Sequence, residues 1–279
     1  MEYKYGVNLL LWTENFSKED LPLLSEIKQL GLDAVEIPIF IPDNFPSTIV
    51  REELEKQELD ACVCYGCNVN SDIASLDEDT RQYGINEFKR VIDNAHEIGA
   101  KKVGGVVYKA SGMFTGFAPS REEWDTSVNS MKKIAQYAQK FDISIGVEPV
   151  NRYETYFMNT AEEAVRYCKD VSEPNMFVLL DTHHIILEES SFYKPIIETG
   201  DYLGHFHTSE NHRGIPGTGL VNWKEVFQAL KDINYSGWLV IESFHPGFGN
   251  IWKSLVDTPA NFLRKSLNFL KGIEQDVFG

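Results

Sequence analysis

The sequence predicts an α/β fold, a closed barrel of eight parallel strands and eight helices, folded as one domain over residues 1–279. Three observations carry this expectation. Short β-rich runs alternate with longer amphipathic segments eight times along the chain. The length, 279 residues, is near the roughly 250 that such a barrel takes. The turn after the first strand reads Leu11-Trp12-Thr13-Glu14-Asn15, without the glycines that an open dinucleotide-binding sheet places there.

In chain order, the first unit joins a strand at Lys4–Leu11 to a helix at Glu19–Leu30, which Gly31 can end in a left-handed conformation. Strand Ala34–Phe40 precedes a helix at Thr48–Gln57, and strand Leu59–Tyr65 precedes one at Thr80–Ile98, followed by Gly99. Strand Lys102–Tyr108 leads to Pro119-Ser120 and then Arg121-Glu122-Glu123, a cap and negative charge at the start of a helix at Arg121–Lys140. Strand Ser144–Glu148 leads to Asn159-Thr160, which caps Thr160–Asp170 in the same way. The last three units are Met176–Asp181 with Phe192–Thr199, Leu203–Thr208 with Trp223–Ile233, and Trp238–Ser243 with Ala260–Ile273.

Composition narrows the function. Hydrophobic residues at 43% supply a sizeable core, and 42 acidic against 26 basic residues give a formal net charge of −16. A field of that sign repels phosphate backbones and anionic membranes, so neither nucleic acid nor a membrane is expected as a partner. The N-terminus lacks the basic-then-apolar pattern of a signal peptide, and a cytoplasmic enzyme is the expectation. Cys62, Cys64 and Cys67 cluster, but without a fourth paired ligand they read as reduced, packed thiols rather than a zinc site.

A parallel barrel carries its chemistry at the C-terminal ends of its strands. Here the last four predicted strands finish on Glu148, Asp181, His207 and Glu242. Each acid alone could cap a helix or pair with an arginine. Together they would set three negative charges beside one imidazole at the barrel axis, an arrangement that needs shared protons or a cation. Oxygen-rich ligation with one imidazole suits Mn²⁺, Co²⁺ or Mg²⁺. His205 shares the parity of His207 and is expected in the layer beneath or on a carboxylate; Glu36 is expected to support a ligand from behind or to form a buried ion pair, rather than to be a ligand. Either His183 or His184 should face the pocket. Arg152 and Glu154, and Glu210 and Arg213, lie on rim loops, where sugar contact and simple salt bridges are both open. The stretch Gly214–Gly219 is a weak candidate for a phosphate cradle, and Trp12, Tyr65, Tyr108 and Phe244 are candidate pocket walls.

These residues carry a resemblance. Val147-Glu148-Pro149-Val150-Asn151-Arg152-Tyr153-Glu154, Leu180-Asp181-Thr182-His183-His184, Gly204-His205-Phe206-His207-Thr208-Ser209-Glu210-Asn211 and Arg213–Gly219 together resemble the D-tagatose/D-psicose (allulose) 3-epimerase family of xylose-isomerase-like TIM barrels. The resemblance implies one Mn²⁺ or Co²⁺ held by Glu148, Asp181, His207 and Glu242, with the two glutamates as acid and base. It also implies sugar contacts from Glu154, His184 and Arg213, and a homodimer or homotetramer. Asn8 stands where several members have tyrosine, Tyr108-Lys109-Ala110-Ser111 where they have a tryptophan loop, and Ser243 where proline is common. Asn8 and Tyr108 are therefore further substrate-contact candidates. The function this implies is metal-dependent inversion of C3 in a free ketohexose or ketopentose through a cis-enediolate. The rivals are an aldose–ketose isomerase or a sugar-phosphate epimerase of the same barrel group.

Overall fold

The computed structural model describes residues 3–248 and 251–279. The described residues form a closed barrel of parallel strands in chain order: β1 (Lys4–Asn8), β2 (Ala34–Pro38), β3 (Asp60–Cys64), β4 (Lys102–Gly104), β5 (Ser144–Val147), β6 (Met176–Asp181), β7 (Leu203–Thr208) and β8 (Trp238–Ile241). β1 pairs with β8 in register Lys4↔Trp238 through Val7↔Ile241, and that pairing closes the ring. Outside it lie α1 (Pro22–Gln29), α2 (Ser47–Gln57), α3 (Glu78–Glu97), α4 (Arg121–Gln139), α5 (Ala161–Val171), α6 (Thr182–Glu188), α7 (Tyr193–Thr199), α8 (Trp223–Asp232) and α9 (Pro259–Phe278).

The core between ring and helices follows from period. Val35, Ile37, Val63, Ile145, Val147, Leu239 and Ile241 leave the strands outward and are buried, against faces such as Phe88, Val91, Ile92 and Ala95 of α3. Helix starts are set by side-chain caps: Ser120 and Thr160 each complete a reciprocal capping pair with Glu123 and Glu163. No helix among the described residues is long and apolar enough to cross a membrane.

The structure departs from the expected boundaries for local reasons. β1 ends at Asn8 because the Asn8 side chain accepts from Leu10 N–H at 3.0 Å and turns Leu9–Leu11 into a 3₁₀ turn. β4 ends at Gly104 because Gly105 adopts φ +126° with Tyr65 O 2.5 Å from where a Cβ would stand, a position only glycine fills. α6 was not anticipated: it starts directly on Asp181, whose carboxylate caps it by accepting from His183 N–H.

A bulge in β7 sets the interior. Val178 pairs with Leu203 but Leu179 pairs with His205, so Gly204 is the extra residue. Because neighbouring strand positions face opposite sides, that one-residue shift turns both His205 and His207 inward beside Leu179 and Asp181. Gly204 and Gly146 also accommodate the Phe177 ring, which approaches to 2.5 and 2.3 Å of their would-be Cβ positions.

Candidate active site at the barrel mouth

Following parity around the ring gives stacked interior layers. The lower one includes Glu36, Cys62, Gly104, Gly146, Leu179 and His205; the upper one includes Asn8, Cys64, Asp181 and His207, with Glu148 and Glu242 one residue beyond β5 and β8. The four strand-end groups meet: one ligand atom each from Glu148, Asp181, His207 and Glu242 lies within 4.8 Å of the others, and all four residues are buried.

Their surroundings differ. Glu242 is held on both oxygens, by Asn8 Nδ2 donating to Oε1 at 3.0 Å and Arg213 Nη1 donating to Oε2 at 2.6 Å. Burial would raise its pKa, but His207 and Arg213 hold the carboxyl well below the usual range. Glu148 Oε1 stands 3.7 Å from His184 Nε2 and 3.8 Å from His207 Nδ1, beyond hydrogen-bond length. Burial there wins over the pull of His207, and the pKa of Glu148 rises well above the usual range. Asp181 Oδ2 accepts from Arg213 Nη1 while Oδ1 caps α6.

Arg213 is bound from every side. Its Nη1 also reaches Ser209 Oγ at 2.8 Å, its guanidinium lies 4.7 Å from the Phe244 ring, and its backbone takes φ +58°. The Ser243 hydroxyl donates to the Arg213 carbonyl at 2.7 Å, a bond that proline at that position could not make. Of the two adjacent histidines, His184 turns to the pocket, with Nδ1 accepting from Asn151 N–H at 3.2 Å; burial lowers its pKa well below the ordinary imidazole value, so the ring is neutral. His183 is satisfied locally, 3.4 Å from Glu210 O. Glu154 accepts from Asn151 Nδ2 at 2.7 Å at the rim. Asn151, which orients both Glu154 and His184, was within the rim motif but was not singled out.

Several expectations need correction. Tyr108 does not reach the pocket: it is fully buried, its hydroxyl donating to the main-chain carbonyls of Glu148 (3.0 Å) and Met158 (3.3 Å). It positions the β5 end rather than a substrate. Tyr65 likewise leans outward, onto Glu87 of α3 at 2.8 Å. Trp12 lines a separate cavity with Leu30, Thr258 and Arg264. Asn8 is in the site, but its amide serves Glu242 rather than open space. Arg152 is a rim salt bridge to Glu188 at 2.7 Å. In the Gly214–Gly219 loop the Gly217 N–H donates to the buried Glu210 carboxylate at 2.8 Å, which also accepts from Val221 N at 2.9 Å and Trp223 Nε1 at 3.1 Å just beyond the loop. All four cysteines are free and buried, as expected.

The donor set fits a divalent cation. Three carboxylates and one imidazole suit a hard or borderline ion. In addition, His207 Nδ1 is buried without a hydrogen-bond partner among the described residues, 3.3 Å from Glu242 Oε1. A buried ring nitrogen facing carboxylates is a lone pair awaiting a ligand or a proton awaiting an acceptor.

Comparison with known proteins agrees with this geometry. The xylose isomerase-like TIM barrel family matches residues 24–273. The L-ribulose 3-epimerase of Methylomonas sp. (strain DH-1) is 33% identical over 277 residues, covering 96% of this chain and 96% of the relative. The ketose 3-epimerase of Arthrobacter globiformis is 30% identical over 287 residues, covering 97% of this chain and 99% of the relative. A crystal structure of D-allulose 3-epimerase from Methylomonas sp. in complex with D-allulose matches with a TM-score of 0.92 at 32% identity, covering 97% of this chain and 96% of that one. The chain therefore belongs to the xylose isomerase-like TIM barrel family, within its ketose 3-epimerase group, and is an isomerase.

Proposed function

We infer that the protein is a metal-dependent ketose 3-epimerase acting on a free ketohexose or ketopentose, of the D-tagatose, D-psicose, D-fructose or ribulose/xylulose type. The observation that carries this reading is the convergence of Glu148 and Glu242, from β5 and β8, on a cluster completed by Asp181 and His207 from the strands between them. Inverting a carbon next to a carbonyl needs a proton removed from one face of a planar enediolate and returned to the other. Two carboxylates from separated strands supply that pair. In one direction Glu242 would take the C3 proton and Glu148 would return one on the other face. In reverse the roles exchange.

Glu148, Asp181, His207 and Glu242 would hold the ion, Mn²⁺ before Co²⁺ or Mg²⁺. Bound there, it would polarise the substrate's oxygens and offset negative charge as the proton leaves. In this reading His184 and Arg213 would donate to substrate oxygens near C1–C3, and Glu154 would accept from a hydroxyl. A free rather than phosphorylated sugar is favoured because the Glu210 carboxylate already takes the Gly217 N–H of the glycine loop and sets an anion of the protein's own beside it. We further propose a cytoplasmic homodimer or homotetramer whose whole length, 1–279, is one folding unit.

The test is incubation with a panel of free ketoses and Mn²⁺ in D₂O. Deuterium at C3 with formation of the C3 epimer is the expected result. Deuterium at C1 with aldose formation would make the protein an aldose–ketose isomerase instead, and turnover restricted to phosphorylated sugars would refute the free-ketose assignment.

A further inference from the structure

Glu36 enters the barrel interior from β2 and is 1% exposed, the one charged side chain in a buried strand of sequence Ala-Val-Glu-Ile-Pro. Its Oε2 lies 2.8 Å from Nε2 of His205 and 2.9 Å from Nε2 of His207. A carboxylate oxygen accepts and does not donate, so both Nε2 atoms carry protons. The distances are ordinary for N–H···O bonds, and those bonds account for the trio without an ion among them.

The consequence falls on the far side of the His207 ring. With Nε2 engaged below, Nδ1 points up at Glu242 Oε1 (3.3 Å) and Glu148 Oε1 (3.8 Å), buried and without a hydrogen-bond partner among the described residues. An imidazole without a fixed partner can flip, or present the protonated nitrogen to the site. We propose that Glu36 is a positioning residue: by accepting from His207 Nε2–H it locks the ring and its tautomer so that the Nδ1 lone pair faces the divalent cation, while His205 braces Glu36 from beneath. The proposal rests on the four-ligand reading given above.

A buried charge is costly unless paired, which gives a reason for two histidines to converge on one oxygen. Among the described residues His205 Nδ1 has no hydrogen-bond partner, and its contact with Glu36 is through Nε2; Cys62 Sγ, at 3.9 Å from the same nitrogen, is a much weaker acceptor. Glu36 and His207 are 171 residues apart, and β2 and β7 are not neighbours in the ring, so the contact crosses the barrel interior.

The experiment is Mn²⁺ titration of the metal-free full-length protein, followed by electron paramagnetic resonance, on wild type, Glu36→Gln and His205→Gln. Glu36→Gln is expected to weaken Mn²⁺ binding about 10–100-fold, and His205→Gln to weaken it less. The Co²⁺-loaded Glu36→Gln protein should also show a changed visible absorption spectrum, which a purely structural role would leave alone. Folded Glu36→Gln with wild-type Mn²⁺ affinity and an unchanged Co²⁺ spectrum would overturn the role of Glu36. Wild type taking up no Mn²⁺ would instead sink the four-ligand reading itself. If Glu36→Gln fails to fold, nitrogen NMR of ¹¹³Cd²⁺-loaded wild type decides: cadmium coupled to His207 Nδ1 with a proton on Nε2 supports the proposal, and cadmium on Nε2 refutes it.

Discussion

Strands β5–β8 lead in turn to Glu148, Asp181, His207 and Glu242 at the mouth of the barrel, whereas β1–β4 turn Asn8, Glu36, Cys62, Cys64 and Gly104 into the same interior. One half of the ring concentrates the acids; the other contributes small side chains, one amide, one deeply placed carboxylate and, at the foot of β4, Lys102, which donates to Gly204 O. The contrast shows how a clustered set of acids is tolerated. Its compensation comes partly from the other half, with Asn8 donating to Glu242 from the neighbouring β1 and Glu36 anchoring His207 across the ring, and partly from Arg213 on the loop after β7.

The largest effects should fall on the charged half. Glu148→Gln and Glu242→Gln should each lower turnover at least about 10³-fold, the scale of lost acid–base catalysis, while Mn²⁺ remains bound through the other ligands. Steady-state conversion of a ketose with a parallel metal titration measures both, and near-wild-type rates in either variant would break the division between the halves. Arg213→Lys comes next. An ammonium on a shorter stem loses the planar guanidinium that packs beside Phe244 and holds Nη1 between Asp181, Glu242 and Ser209, and the resulting misplacement should cost about 100-fold in kcat/KM.

A smaller effect is expected on the supporting half. Asn8→Ala removes one hydrogen bond to an ionised group, and about a 10-fold loss of kcat should follow. The sign of the pH effect is fixed: a donor to a carboxylate favours the charged form, so its removal raises the pKa of Glu242 and moves the acidic limb of the rate profile to higher pH. A limb that stayed put would show that Asn8 only packs. Smallest of all is the effect on the thiols. Burial pushes Cys62 and Cys64 well above the usual thiol range and Cys168 up to about 12. Iodoacetamide at pH 8 should therefore label none of them until denaturant is added, as mass spectrometry would report.

Much of this was legible in the chain because it is local. Period-two runs bounded by caps such as Ser120 and Thr160 mark the βα units, and a strand's last inward residue can be read directly from its end. Glu148, Asp181 and Glu242 needed nothing more; on β7 His205 and His207 share parity, and His207 was preferred as the nearer to the C-terminal end. Tyr108 was misread because a strand-end aromatic carries no mark of which side it takes; Gly105, with its positive φ, ends β4 early and leaves the hydroxyl on main-chain carbonyls. The glycine loop was a weak cradle candidate from its sequence, and Glu210, whose carboxylate takes its Gly217 N–H, sits several residues upstream and is brought in only by folding.

Alternation of apolar and polar residues and the chemistry of side chains at strand ends are properties of short stretches, so the sequence by itself determined the barrel and the four converging groups. Which face a residue takes after a bulge, and which side chain meets which across the ring, depend on register and closure. Only the tertiary structure decided that Gly204 turns both β7 histidines inward, that Arg213 folds back between Asp181 and Glu242, and that Glu36 reaches His207 from 171 residues away. Those contacts join residues far apart in sequence, and no local pattern encodes them.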